Sequence, residues 1–202
     1  MNRLSVFAGA LISLAAMQSL ASPIINNTGL AGSHTTITFS EFTFATDTPI
    51  TNQFSSLGAT FSPGYYYDTA PFFFPGDFLA NFSTSGGPTH NPEVIQFNQI
   101  VDGAAFAMQT DATTSTFEAL LGGGVVESFT AGTTLSSLPD LTHASDFFGF
   151  SGIAFDAIRV TSGSTFMQID NLQIRPAQVP EPATLALLGL GLAGLGFSRR
   201  KK

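Results

Sequence analysis

The chain has 202 residues, enough for one domain with extensions, and a formal net charge of −7 from seven Lys and Arg against fourteen Asp and Glu. Five of the seven cations sit near the two ends, so residues 22–179 hold two cations (Arg159, Arg175) against thirteen acids, a net of −11. That excludes a basic footprint for nucleic acid and opposes an anionic surface, and the absence of cysteine excludes disulfides, a thiol nucleophile and a zinc–thiolate site.

The N-terminus reads MNRLSVFAGALISLAAMQSLASP. Arg3 precedes an apolar stretch from Leu4 to Ala16, and Ser19 and Ala21 are the small residues of a cleavage site. Residues 1–21 are read as a signal peptide, which sends the rest of the chain out of the cytoplasm. Residues 22–34 are polar, contain glycine and lack a period, and read as a flexible leader. TTITFSEFTF (35–44) alternates as a strand, with a shift near Ser40–Glu41 that suits a bulge or a change of sheet. DTPITNQF and the short strand LGATFSP, closed by Pro63–Gly64, come next. The stretch GYYYDTAPFFFPGDFLAN (64–81) is aromatic and broken by Pro71, Pro75 and Gly76.

EVIQFN, AAFAMQTD, STFEALLG and GVVESFTAG then read as successive strands, with Gly122–Gly124 as a hairpin turn. SLPDLTHAS is a loop, and SDFFGFSG, FDAIRVTS and TFMQIDNLQI are the last three strands. About eight to ten short strands without an internal helix predict an all-β fold, an antiparallel β-sandwich or jelly roll over residues 35–176. The expected core joins Phe82, Phe97, Phe106, Phe117, Phe129, Phe148, Phe150, Phe155 and Phe166 to Ile37, Ile95, Val101, Ile153, Ile158, Ile169 and Ile174.

Catalytic signatures are sparse. His34, His90 and His143 lack metal-site spacing, and neither a nucleophile elbow nor a phosphate loop is present. Glu93, Glu118 and Glu127 are the acids from which a glycosidase dyad would have to be drawn, and the plainer reading is solvated carboxylates. For binding, Tyr65, Tyr66, Tyr67 and Asp68 form the candidate ligand site: rings stack on sugar faces, and Asp68 or Asp77 accepts hydroxyl hydrogen bonds. The competing reading makes the neighbouring Phe72–Phe74 core filler.

The tail, residues 177–202, ends in VPEPATLALLGLGLAGLGFSRRKK. Its apolar run 183–197 would form a helix about 22 Å long at ~1.5 Å per residue, short of a ~30 Å hydrocarbon core. Glycines notch that helix, and the terminal cations would hold its end on the cytoplasmic side. Pro180-Glu181-Pro182, the apolar helix and Arg-Arg-Lys-Lys in this order resemble the PEP-CTERM sorting signal. The resemblance implies a Gram-negative exporter, transient anchoring in the inner membrane, and recognition of Pro180, Glu181 and Pro182 by exosortase as partner enzyme. It also implies a setting of exopolysaccharide and biofilm. Such tails are also labelled ice-binding C-terminal domains, which does not itself imply ice binding; an ice-binding adhesion domain built as a solenoid would show regular Thr-rich repeats, and none is visible.

ITFSEF, DTPITNQFSSLGATFS and FFGFSG…FDAIRV…MQIDNLQI resemble secreted β-sandwich domains found in front of this tail, and IDNLQI resembles the closing strand of jelly-roll carbohydrate-binding modules. That second resemblance implies a structural calcium at Asp170, with Glu41 from the first strand as partner and Asn171 and Thr48 as further oxygen donors; otherwise the side chains of Asp170 and Asn171 make hydrogen bonds to a neighbouring loop. The expectation is an exported, non-enzymatic surface or matrix protein sorted by exosortase, with polysaccharide as a candidate partner. The alternative is a secreted carbohydrate-active hydrolase.

Overall fold

The structure, a computed structural model, describes residues 22–69, 74, 76–84, 86–88, 92–111, 113–133 and 146–177. The expected signal peptide, the tail from residue 178 with its helix at 183–197 and its Pro180, Glu181 and Pro182, and His90, His143, Phe72 and Phe73 lie outside the described residues.

In chain order the strands are β1 (Ser22–Asn26), β2 (Thr35–Ile37), β3 (Thr48–Ile50), β4 (Ala59–Phe61), β5 (Tyr65–Asp68), β6 (Phe78–Ala80), β7 (Phe82–Ser83) and β8 (Gly87–Pro88). They continue with β9 (Glu93–Thr110), β10 (Thr114–Leu121), β11 (Gly124–Gly132), β12 (Phe147–Ser162) and β13 (Met167–Pro176). One 3-10 turn, Ser55–Leu57, is the only helical element among the described residues. The domain is all-β, and its pairings are antiparallel. Eleven strands share one sheet in the order β11-β10-β12-β9-β13-β6-β5-β3, with β1 on β12, β2 on β13 and β4 on β9.

The hairpin expected at Gly122–Gly124 joins β10 to β11, and Gly122 (φ 58) and Gly123 (φ 85) take the positive-φ positions that a tight hairpin demands. Elsewhere strands expected to be separate are continuous. EVIQFN and AAFAMQTD are parts of the 18-residue β9, and SDFFGFSG and FDAIRVTS are parts of the 16-residue β12. Gly103 stays extended because β12 and β13 flank it, at Ser151 and Arg175. Gly152, at φ 79, lies in a bulge where the β12–β9 register shifts between Ser151 and Phe155. Residues 147–151 of β12 therefore pair with β1 and the far half of β9, while residues 157–162 pair with β10.

The two halves of the sheet face each other across a phenylalanine stack. Phe117 pairs in the sheet with Phe129 and Val160. Its ring nevertheless stacks on Phe148, 5.1 Å away at 9° between planes, and Phe148 pairs with Phe106 and Ile25 in the other half. Such contact requires the sheet to fold over, and burying each ring contributes about 1.5–3 kcal/mol.

Three expectations change. Residues 22–34 are not a free leader: β1 pairs with β12 from Ser22↔Ser151 to Asn26↔Phe147. Leu30 N–H donates to Gln173 Oε1 at 2.6 Å. These partners are more than a hundred residues away, so no local pattern announces them. The first long strand stops at Ile37, because Thr38 N–H and Oγ1 both donate to Glu41 Oε1 (2.8 and 3.1 Å), and Phe39 turns inward at φ 61. Of the expected core, Phe166 is 39% exposed and Phe82 half-buried, and the two pack on each other at 5.3 Å. Ile153 and Phe129 are half-buried against the main core.

Candidate functional site

The tyrosine run forms β5, between β3 (Ile50↔Tyr65, Thr48↔Tyr67) and β6 (Tyr66↔Ala80, Asp68↔Phe78). Side chains alternate along a strand. Tyr65 and Tyr67 therefore share the inner face and are fully buried, whereas Tyr66 is half-buried on the other. Tyr65 meets Phe61 and Tyr67 meets Phe44 edge-on, each at 5.3 Å. The expected sugar platform of Tyr65, Tyr66, Tyr67 and Asp68 is thus not assembled: two rings are core, and the Asp68 carboxylate is buried and accepts the Thr69 N–H at 2.7 Å. Tyr66 alone offers a ring.

Asp170 and Glu41 do come into one another's field. β2 lies on β13 (Ile37↔Leu172), which brings the turn after β2 towards the strand that carries Asp170. Asp170 is buried, and its carboxyl is pushed up to about 7, first by loss of water, with the charges of Glu41 and Asp77 adding to the rise. The N–H of Asn171 opposes that rise. Asp77, expected as a sugar acceptor, acts on Asp170 because β6 pairs with β13, a long-range contact that no local pattern announces. The Tyr67 hydroxyl donates to Phe42 O at 3.3 Å, and Tyr67 is pushed up to about 12, first by burial and then by the Asp77 carboxylate.

Each carboxylate has a local task. Glu41 caps the Thr38 turn. Asp170 accepts from Asn171 N–H at 2.6 Å and from Asn171 Nδ2 at 3.1 Å, while Asn171 sits at φ 51 in a register shift of β13. Thr48 Oγ1 donates to Ala45 O at 2.6 Å. Among the described residues no three His, Cys, Asp or Glu converge as a metal site. Carboxylate, amide and hydroxyl oxygens are of the kind calcium takes.

The candidate dyad acids are dispersed. Glu118 is held by Arg159 through two bonds, at 2.6 and 2.9 Å, which keeps its carboxyl below the usual range. Glu127 pairs in register with Ala119, a core residue, so adjacent Glu118 faces the opposite side of the sheet. Glu93 is fully buried, facing the core with Ile95 and Phe97. Neither of its oxygens has a hydrogen-bond partner, and the buried Tyr65 hydroxyl is also without one. The alternation E-V-I-Q-F placed Glu93 on the apolar face, a signal that a solvated reading overlooks. Burial pushes its carboxyl up to about 7, and the Asn81 side chain beside it opposes the rise.

A surface cavity of about 280 Å³ lies where β11 ends and β12 begins, lined by Asn26, Asn27 and Asp146 on its polar side and by Ile25 and Phe147 on its apolar side. Among the described residues no helix is long and apolar enough to cross a membrane.

Residues 178–201 match the family model of the PEP-CTERM protein-sorting motif. No curated protein matches the chain. Among solved structures, the "Crystal structure of Agl-KA catalytic domain" is similar over 79% of this chain and 31% of that one, at 16% identity and a TM-score of 0.37. This chain spans under a third of that protein, and a likeness of this degree carries no argument about fold or chemistry.

Proposed function

We propose, from the premise that this chain is a PEP-CTERM exosortase substrate, that it is an exported, non-enzymatic component of the cell surface or of an exopolysaccharide matrix. The observation that carries the reading is the sorting motif at residues 178–201. In this reading Pro180, Glu181 and Pro182 are an address read by exosortase, and the membrane holds the tail only until processing. The prolines favour an extended backbone there, as entry into a processing cleft requires. A role in binding or matrix structure, in preference to catalysis, is supported by the dispersal of Glu93, Glu118 and Glu127 over different surroundings. Carbohydrate contact through β5 falls to Tyr66, the ring that is not core. A structural calcium would need Asp77 and further oxygens drawn in beside Glu41 and Asp170, and the proposal does not depend on it.

The test follows the protein in inner-membrane, surface and medium fractions by mass spectrometry, comparing wild type with Glu181→Ala. A shortened, tail-processed form in the wild type and its loss in the variant are expected. If both remain intact in the inner membrane, the tail is a plain anchor and the matrix reading loses its support.

A further inference from the structure

Glu93 is the group that the fold accommodates least well. It opens β9 and is fully enclosed, and neither carboxylate oxygen has a hydrogen bond of normal geometry; the Asn81 side chain is the hydrogen-bonding group that favours its charged form, and burial outweighs it. An ionised carboxylate in an apolar interior is so unfavourable that such a group takes up a proton instead. The surroundings explain why nothing else neutralises it. β5 contributes Tyr65, whose phenol is pushed up by burial and, after that, by the charge of Glu93, so the two groups lie in one field. The residue after β6 contributes Asn81. From β12, Val160 stands directly opposite Glu93. The nearest cation on that strand, Arg159, stands opposite Val94 and is bound to Glu118. Beyond β4, Ser62 Oγ accepts from Val94 N–H at 2.9 Å. Among the described residues no charged side chain contributes to the state of Glu93.

We propose that Glu93, enclosed with the Tyr65 hydroxyl and the Asn81 amide, is a proton-binding site that makes the domain firmer in acidic surroundings and looser as they turn neutral or alkaline. The ordinary value of the carboxyl is 4.5 and burial raises it to about 7 in the fold. Between these values the unfolded chain has released the proton that the folded domain still holds. Stability is therefore full below the unfolded value and is lost as pH rises through the folded one. An exported domain meets a medium whose pH the cytoplasm does not buffer, so the device would report on conditions outside the cell.

Asp170 is raised to the same range, so the test is made in its absence. Thermal unfolding of the purified full chain in detergent is followed from about pH 5 to about pH 8 for Asp170→Asn with and without Glu93→Gln. The single variant is expected to lose roughly 3–10 °C in Tm across this range, and Glu93→Gln to remove most of that loss. Equal slopes in the two proteins overturn the proposal. If the double variant does not fold, the infrared carboxyl band of Asp170→Asn decides. A buried, protonated carboxyl that disappears through neutral pH supports the site, and an ionised carboxylate already present in mild acid overturns it.

Discussion

Phe117 and Glu93 flank the same residue. Both stand in register with Val160, Phe117 from β10 on one side and Glu93 from β9 on the other, and all three face the interior. On the β10 side the row is closed by rings: Phe129 stacks on Phe117 at 4.9 Å, and Phe148 covers it from the opposing half of the sheet. On the β9 side the same depth of burial encloses a carboxyl and a phenol that lack partners. One environment thus acts with opposite sign on neighbouring positions. Removal from water stabilises a hydrocarbon ring and penalises a charge. Firmness in this fold is a property of the side chain at each register position and not of the sheet ladder, which runs through both.

The comparison breaks most visibly at the stack. Phe117→Ala removes the ring between Phe129 and Phe148 and should cost about 3–5 kcal/mol, read as a lower denaturant midpoint with unchanged slope. A loss below about 1 kcal/mol would mean that the opposing halves do not meet through this ring. Glu93→Leu inverts the other side of the row. It replaces an unpartnered carboxyl with an apolar side chain of similar size and should raise stability at mildly alkaline pH by about 1–3 kcal/mol, with little change in mild acid. Destabilisation at both pH values would show that the carboxyl has a partner that the apolar side chain cannot replace. The smallest effect is expected on the outer face. The Arg159–Glu118 pair at 2.6 Å is partly exposed, so Glu118→Gln should cost only about 0.2–1 kcal/mol. Because the carboxyl of Glu118 is lowered in the fold, its contribution is present above the ordinary carboxylate range and fades as pH falls through the folded value. That is the reverse of Glu93, and urea titrations of the two variants in acid and at neutral pH would separate the signs.

Much of the local architecture could be read from the chain. The Gly122–Gly123 turn and the strand character of STFEALLG and GVVESFTAG each depend on a few adjacent residues, whereas the Asp170 carboxylate accepts from adjacent Asn171, where bonds to a neighbouring loop were expected. The strand expected at Thr35, now β2, does lie beside the last strand, as Ile37↔Leu172, whereas the true first strand β1 pairs with β12. The continuity of β9 and β12 was not legible, because Gly103 and Gly152 resemble turns until the flanking strands hold them in the sheet. The burial of Tyr65 and Tyr67 needed β3 and β6 on either side, and the effect of the Asp77 and Glu41 charges on Asp170 needed three separate segments to approach one another.

What the sequence by itself determined is the address and the class of fold. A sorting motif must be read by an enzyme as a short contiguous segment, so its information is local, and alternation with glycine turns selects strands without knowledge of their partners. Tertiary structure alone decided which carboxyls are deprived of water and which share a field. Burial and electrostatic interaction depend on distances between residues far apart in the chain, such as Glu93 and Tyr65 or Asp170 and Glu41, and those distances exist only once the sheet has folded over its phenylalanine core.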